Sequence, residues 1–200
     1  MKLEEGLSLI YTRPNDVRVY EYQGQSEPVF YKKHRRKVGL GENFMLGVLN
    51  TKTKYIVRLD EEVSLPYCDA MTIMENHPEI KAVYPIYHIM EETEYGYSKT
   101  VNIVPYPQGA GIVYDRDAFL EVGGYDTSLD YQADLDFYIR FIMRWGCMVP
   151  FAGIYYWTKD GKNRSINHKD KLLYARKKIL DKYGLKDSDA HHFGMYHYVR

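Results

Sequence analysis

Short apolar runs alternate with amphipathic stretches along most of this chain, a pattern that predicts strands and helices in alternation. Leu7 to Tyr11 and Val17 to Tyr22 read as strands, separated by the turn-forming Pro14-Asn15-Asp16. Val29 to Tyr31 is a short third strand. Residues 41–51 follow as a helix with Phe44, Val48 and Leu49 on one face. Tyr55 to Leu59 is an apolar, β-rich strand interrupted only by Arg58. Ser64 is placed to cap a helix with Pro66 in its first turn, ending near His77, where Pro78 stops it.

Ala82 to Tyr87 predicts the next strand, the polar residues 88–99 a loop, and Val101 to Val104 another strand. Asp115 caps a short helix that ends at Gly123-Gly124. A longer helix spans Tyr131 to Trp145, with Leu135, Ile139, Ile142 and Trp145 as its stripe. Residues 148–157 hold a strand, and a last amphipathic helix covers 169–183 and ends at Gly184. Segments 28–60 and 55–87 thus form two overlapping βαβ units, with crossovers expected to be right-handed. The fold class expected is α/β, one domain with a mostly parallel central sheet flanked by helices.

Composition narrows the function classes. The 200 residues suit one domain, and 45% hydrophobic residues supply a core. Lys+Arg and Asp+Glu stand at 27 each, so no net charge draws the whole molecule to nucleic acid or to a membrane. No apolar run reaches the length of a membrane span. The acidic start, Met-Lys-Leu-Glu-Glu, lacks the apolar stretch of a signal peptide, and two cysteines, Cys68 and Cys147, do not make a disulfide framework. The expectation is a cytoplasmic, reducing location. Twenty-one tyrosines are available for core filling or for stacking on sugars and bases.

The segment with most chemistry is Tyr55-Ile56-Val57-Arg58-Leu59-Asp60-Glu61-Glu62. A buried strand ends abruptly in three acids, which repel one another unless something positive joins them. Asp60 and Glu62 are two residues apart, so in extended chain they face the same way. Two oxygen donors on one side suit Mn²⁺ or Mg²⁺, with water and substrate phosphate completing the shell. Ligands of α/β sheets bind at the carboxyl ends of strands, where these acids fall. A solvated acidic loop is the other reading.

These residues carry a resemblance. Gly39 and Asn43, then Lys54 to Glu62, then Pro66, resemble the central motif of GT-A glycosyltransferases, especially the family-2-like enzymes. There a Gly-x-x-x-Asn segment precedes a strand ending in Asp-x-Asp; here Glu62 replaces the last Asp. A second stretch, Gly109-Ala110-Gly111-Ile112-Val113-Tyr114-Asp115 through Gly123-Gly124-Tyr125-Asp126, resembles the family's acceptor-side segment. The family then shows Glu-Asp, x-Asp and an Arg; this chain has Ala133-Asp134-Leu135-Asp136 and Arg140. The likeness covers roughly residues 28–157. It departs at the front, where only a short turn separates the first two strands and the usual helix between them is missing.

The resemblance implies a GT-A-like, Rossmann-like domain that transfers a sugar, a hexose above all, from a nucleotide donor, most simply a UDP-sugar, to a saccharide or other hydroxyl acceptor. Residues 1–60 would form the nucleotide half, 61–168 the acceptor half, and 169–200 a C-terminal helix and tail. Asp60 and Glu62 would hold Mn²⁺ or Mg²⁺, with His168 as a late third ligand. Asp134 would be the base of an inverting transfer, at a helix start whose dipole favours its ionised form. Tyr11, Arg13, Arg36, Gly39, Asn43 and Arg58 fall on the nucleotide and diphosphate side. Gly109, Gly111, Gly124, Asp136 and Trp157 fall on the acceptor side.

Other features are weaker. Lys32-Lys33-His34-Arg35-Arg36-Lys37 is either a solvated loop or a phosphate contact. It also leaves room for a nucleic-acid acceptor. Gly39-Leu40-Gly41 lacks the third glycine of a dinucleotide fingerprint, because Phe44 stands there. His191, His192 and His197 have no zinc-like spacing partners. A rival from another class is a non-catalytic module that binds a sugar-nucleotide or glycan, favoured by the short front, Ala133 and the Asp-to-Glu change.

Overall fold

The apolar runs pair into one eight-stranded sheet in a computed structural model of the chain, which describes residues 6–21, 26–59, 65–92, 98–104, 107, 109–158 and 168–189. Its strands are β1 Leu7–Arg13, β2 Asp16–Tyr20, β3 Phe30–Lys33, β4 Tyr55–Leu59, β5 Ala82–Glu92, β6 Ser98–Val104, β7 Val113–Asp115 and β8 Val149–Thr158. The helices are α1 Leu40–Leu49, α2 Tyr67–Asn76, α3 Arg116–Glu121, α4 Ala133–Trp145 and α5 Lys169–Lys182. The α/β architecture with a helix-flanked sheet is as expected.

The strand order is β3-β2-β1-β4-β7-β5-β6, with β8 on the other edge of β5. Five strands run one way, whereas β2, β6 and β7 oppose them. The sheet is therefore mixed: only β1–β4 and β5–β8 are parallel neighbours. The expected βαβ unit from β4 through α2 to β5 is present in direction, but antiparallel β7 is inserted between its strands. Three residues are too few to give β7 a periodic signal of its own.

Two further differences have physical causes. The loop expected at 88–99 is largely strand, because β5 runs on to Glu92 between β6 and β8. Pairing on both sides satisfies its backbone whatever the side chains. β3 begins one residue after Val29 and ends two residues after Tyr31, at Lys33, and as an edge strand it tolerates Lys32 and Lys33, charges that discourage further pairing.

Register sets the faces. Ile10 pairs with Arg58 and Ile56 with Tyr114, so these side chains share one side of the sheet. On that side Gly47 of α1 lies so close to Ile10 that any side chain there would collide with it. Tyr114 meets Phe119 of α3 and Phe137 of α4 at 5.3 and 5.4 Å between ring centroids. Phe44 adds to the same aromatic cluster through Phe119 and Tyr125. These rings are buried and belong to one continuous core reaching from Leu7 to Leu180. Such packing is what holds α1, α3 and α4 on the sheet, since ten-residue helices are marginal alone.

Local signals end the helices. Asp115 caps α3 by accepting from the Ala118 N–H at 3.0 Å. Gly123 and Gly124 close it, donating to the Leu120 and Phe119 carbonyls at 2.9 and 3.0 Å in a left-handed terminus. α2 starts at Tyr67 with Pro66 at its cap position; Ser64, expected as the cap, lies outside the described residues.

Candidate active site

Parallel β1 and β4 lie side by side with Tyr11 opposite Leu59, so their carboxyl ends open on the same rim. Asp60 and Glu62 follow directly on Leu59 in sequence but lie outside the described residues. The last described side chains of β4 therefore carry the geometry. Arg58 is buried, on the side of the sheet that faces α4. The turn Gly109-Ala110-Gly111 passes over it. The Gly111 N–H donates to the Arg58 carbonyl at 2.8 Å, and the Tyr87 hydroxyl donates to the Ala110 carbonyl at 2.6 Å.

Gly109 brings two charged groups together. Its φ of +89° suits glycine, and a β-carbon there would lie 3.0 Å from Arg58 Nη2 and 3.5 Å from Asp134 Oδ2. Asp134 stands in the first turn of α4, where its Oδ1 accepts from the Leu135 N–H at 3.0 Å. α4 starts at Ala133 rather than Tyr131 because Gln132 takes a left-handed conformation, φ +61°. A non-glycine residue in that region is unfavourable, and such strain clusters at functional sites. Beneath the pair sits Tyr138, fully buried. Burial pushes its hydroxyl pKa well up, with the charge of Asp134 adding and that of Arg58 opposing.

His168 stands at the cap position of α5, its ring 6.0 Å from that of Tyr131. The structure thus brings His168 to the segment leading into α4. Among the described residues no group of three or more His, Cys, Asp and Glu side chains is arranged to hold a metal ion.

Several expected site residues do other work. Asn43 is fully buried, and its Nδ2 donates to the Arg13 carbonyl at 2.6 Å, tying α1 to the end of β1. Gly124 is the helix terminator described above, packed against Met45 and Phe119 rather than open to a ligand. Asp136 is 1% exposed and bonded to Arg140, Lys182 and Tyr183, at 2.7 to 2.9 Å. Burial alone would raise its pKa, but the hydrogen bonds from Lys182, Tyr183 and Arg140 outweigh it and hold the carboxyl below its ordinary value. Asp136 therefore joins α4 to α5.

The remaining residues are at the rim. Tyr11 is half-buried, edge-on to Tyr20 at 5.5 Å. Arg13 is exposed at the end of β1. Gly39 precedes α1 with open space around it. Arg36 is exposed on the loop after β3, which is fastened to the Pro14-Asn15 turn by the His34 and Val38 N–H groups. That loop lies at the same end of the sheet as Leu59 but at its β3 edge. Trp157 lies in β8, opposite Ile89; its side chain is outside the described residues. Tyr87, Gln132 and Tyr138 are the residues sequence reasoning missed. A tyrosine among twenty-one carries no local mark of its partner, and nothing in sequence announces a left-handed glutamine.

The fold and the rim define a class: an α/β protein with a mixed, helix-flanked sheet and polar side chains at the carboxyl ends of β1 and β4. No protein-family model matches the chain, and no curated protein does. Among solved structures it is similar to the mannosyl-3-phosphoglycerate synthase from Rubrobacter xylanophilus, with 17% identity over 76% of this chain and a TM-score of 0.44. The chain spans 55% of that protein's length.

Proposed function

We propose that this chain is a glycosyltransferase that moves a sugar from a nucleotide-diphosphate donor to an acceptor hydroxyl, with Asp134 as the base. The observation that supports it best is the meeting of Arg58, Gly109 and Asp134 at the end of β4, directly before Asp60-Glu61-Glu62. Two segments that resemble separate motifs of one enzyme family are in contact there. The contact joins a carboxylate to a buried cation on the strand that runs, in sequence, straight into those acids.

In this reading the acceptor hydroxyl attacks the anomeric carbon as the carbon–oxygen bond to the diphosphate breaks. Asp134 takes the hydroxyl proton, and the nucleoside diphosphate leaves with the bonding electrons. Attack from the face opposite the leaving group inverts the anomeric centre. Arg58 offsets negative charge beside Asp134. Asp60 and Glu62 supply hard oxygen donors that fit Mn²⁺ or Mg²⁺, with His168 as a further donor. Such an ion would act as a Lewis acid on the leaving diphosphate. A UDP-hexose is the simplest donor, bound by residues 1–60.

The test is a thermal-shift panel of nucleotides and nucleotide-sugars with and without Mn²⁺, followed by turnover of the best ligand by the natural chain and by Asp134→Asn. A metal-dependent shift with at least one nucleotide-sugar, and turnover lost in Asp134→Asn, is expected. Binding without turnover would mean a non-catalytic sugar-nucleotide module, and no shift with any nucleotide would remove the assignment.

A further inference from the structure

An open groove of 530 Å³ runs along α1 and shares no lining residue with the Arg58–Asp134 pair. Helix α1 is apolar on two sides. Phe44, Gly47 and Val48 face the core. Met45, Leu46 and Leu49, with Glu42, form a second stripe at the spacing of one helix face, and this stripe lines the groove. A surface helix ordinarily turns polar residues outward, yet Leu49 is 63% exposed.

The opposite wall carries the cations Lys32 from β3 and Arg35 and Arg36 from the loop after it, with His34 among them. Lys32 to Lys37 hold five Lys and Arg residues in six positions, and no Asp or Glu occurs between Glu27 and Glu42. In a chain with balanced charge, this is a local positive field beside an aliphatic stripe.

We infer that this face docks the protein on an anionic phospholipid surface. Lipid phosphates pair with Lys32, Arg35 and Arg36, while Leu49, the exposed apolar residue of the stripe, enters the boundary between headgroups and acyl chains. The aliphatic floor decides against nucleic acid. A phosphodiester backbone makes no use of aliphatic side chains, and single strands are held by aromatic platforms, which the groove lining lacks. Among the described residues no helix is long and apolar enough to cross a membrane, so the contact is with the surface.

The experiment is flotation of the full chain with vesicles of phosphatidylcholine alone and of phosphatidylcholine mixed equally with phosphatidylglycerol. Two variants are compared: Lys32→Glu with Arg35→Glu, and Leu49→Glu. These positions are exposed, and thermal melts check that the variants fold. Binding to the anionic vesicles only, weakened at least about tenfold by the charge reversals and also reduced by Leu49→Glu, is expected. The inference fails if neither vesicle binds, if both bind equally, or if Leu49→Glu leaves binding intact. It fails too if an oligonucleotide is held more tightly than the anionic vesicles.

Discussion

Arg58 and Asp134 approach each other across Gly109 so closely that a single methyl group on that glycine would touch both. The residues come from distant parts of the chain, and the φ of +89° at Gly109 lets the backbone pass between them without a side chain. Gly109→Ala imposes a left-handed conformation on alanine and presses on a buried guanidinium. It is expected to cost about 1–3 kcal/mol of stability. It should also slow transfer at least tenfold, since displacement by about 1 Å at a catalytic group has effects of that order or more. Denaturant unfolding and single-turnover rates check the two effects separately. An alanine variant with both quantities unchanged would show that the turn is not tight.

Gly124 has a different task. It ends α3 with φ +60°, and a β-carbon there would collide with the Met45 thioether and lie 2.9 Å from Phe119 Cε1. Met45 is flexible and can move; the aromatic cluster around Phe119 cannot move as easily. Gly124→Ala should destabilise by about 2–3 kcal/mol. Met45→Ala in the same chain should recover part of the loss, because it removes one of the two clashes but not the backbone strain. Recovery of the whole loss would show that the left-handed backbone contributes nothing.

The joint between α4 and α5 makes stability depend on pH in a stated direction. Asp136 has a lowered pKa in the folded chain, so its contribution is complete above the unfolded value of about 3.9. It is lost as pH falls through the lower, folded value. Asp136→Asn should therefore cost about 2 kcal/mol at neutral pH, less than a fully buried pair because Lys182 is 54% exposed. The gap between variant and natural chain should close in acid, below about pH 4. Urea unfolding at a series of pH values measures it. A gap that does not change with pH would mean that the ionised carboxylate is not what joins the helices.

What could be read from sequence were the features whose cause is local. The apolar run Tyr55 to Leu59, broken only by Arg58, is β4, the stripe Leu135-Ile139 is on α4, and Asp115 caps α3 as its position before the helix required. What could not be read depends on partners far along the chain. β7 exists because β4 and β5 present open edges to three residues that have no pattern of their own. The second half of β5 is strand because β6 and β8 flank it, although its residues are polar enough to suggest a loop. The same division holds at the site. Asp134 and Gly109 were legible as motif residues, but their contact with Arg58 was not. Asp136, two residues from Asp134, was expected on the acceptor side, and the partners that enclose it, Arg140, Lys182 and Tyr183, include two from far along the chain.

The metal reading yields a quantitative prediction. An ion that binds the native chain raises its melting temperature by an amount that follows the logarithm of affinity. Replacing one oxygen donor, in Asp60→Asn or Glu62→Gln, should weaken Mn²⁺ at least about tenfold, a loss of about 1.4 kcal/mol at saturating ion. For a domain of this size that removes roughly 3–5 °C of the Mn²⁺-dependent shift measured with nucleotide-sugar present. His168→Ala should produce a smaller loss of the same sign if its ring reaches the ion, and none if the ring only packs on Tyr131. Glu121→Gln is the control: its carboxylate pairs with Arg144 on the surface, and the shift should be untouched. Should the control variant lose as much of the Mn²⁺ effect as Asp60→Asn, the ion is acting on general surface charge, and the strand-end carboxylates have no special part in holding it.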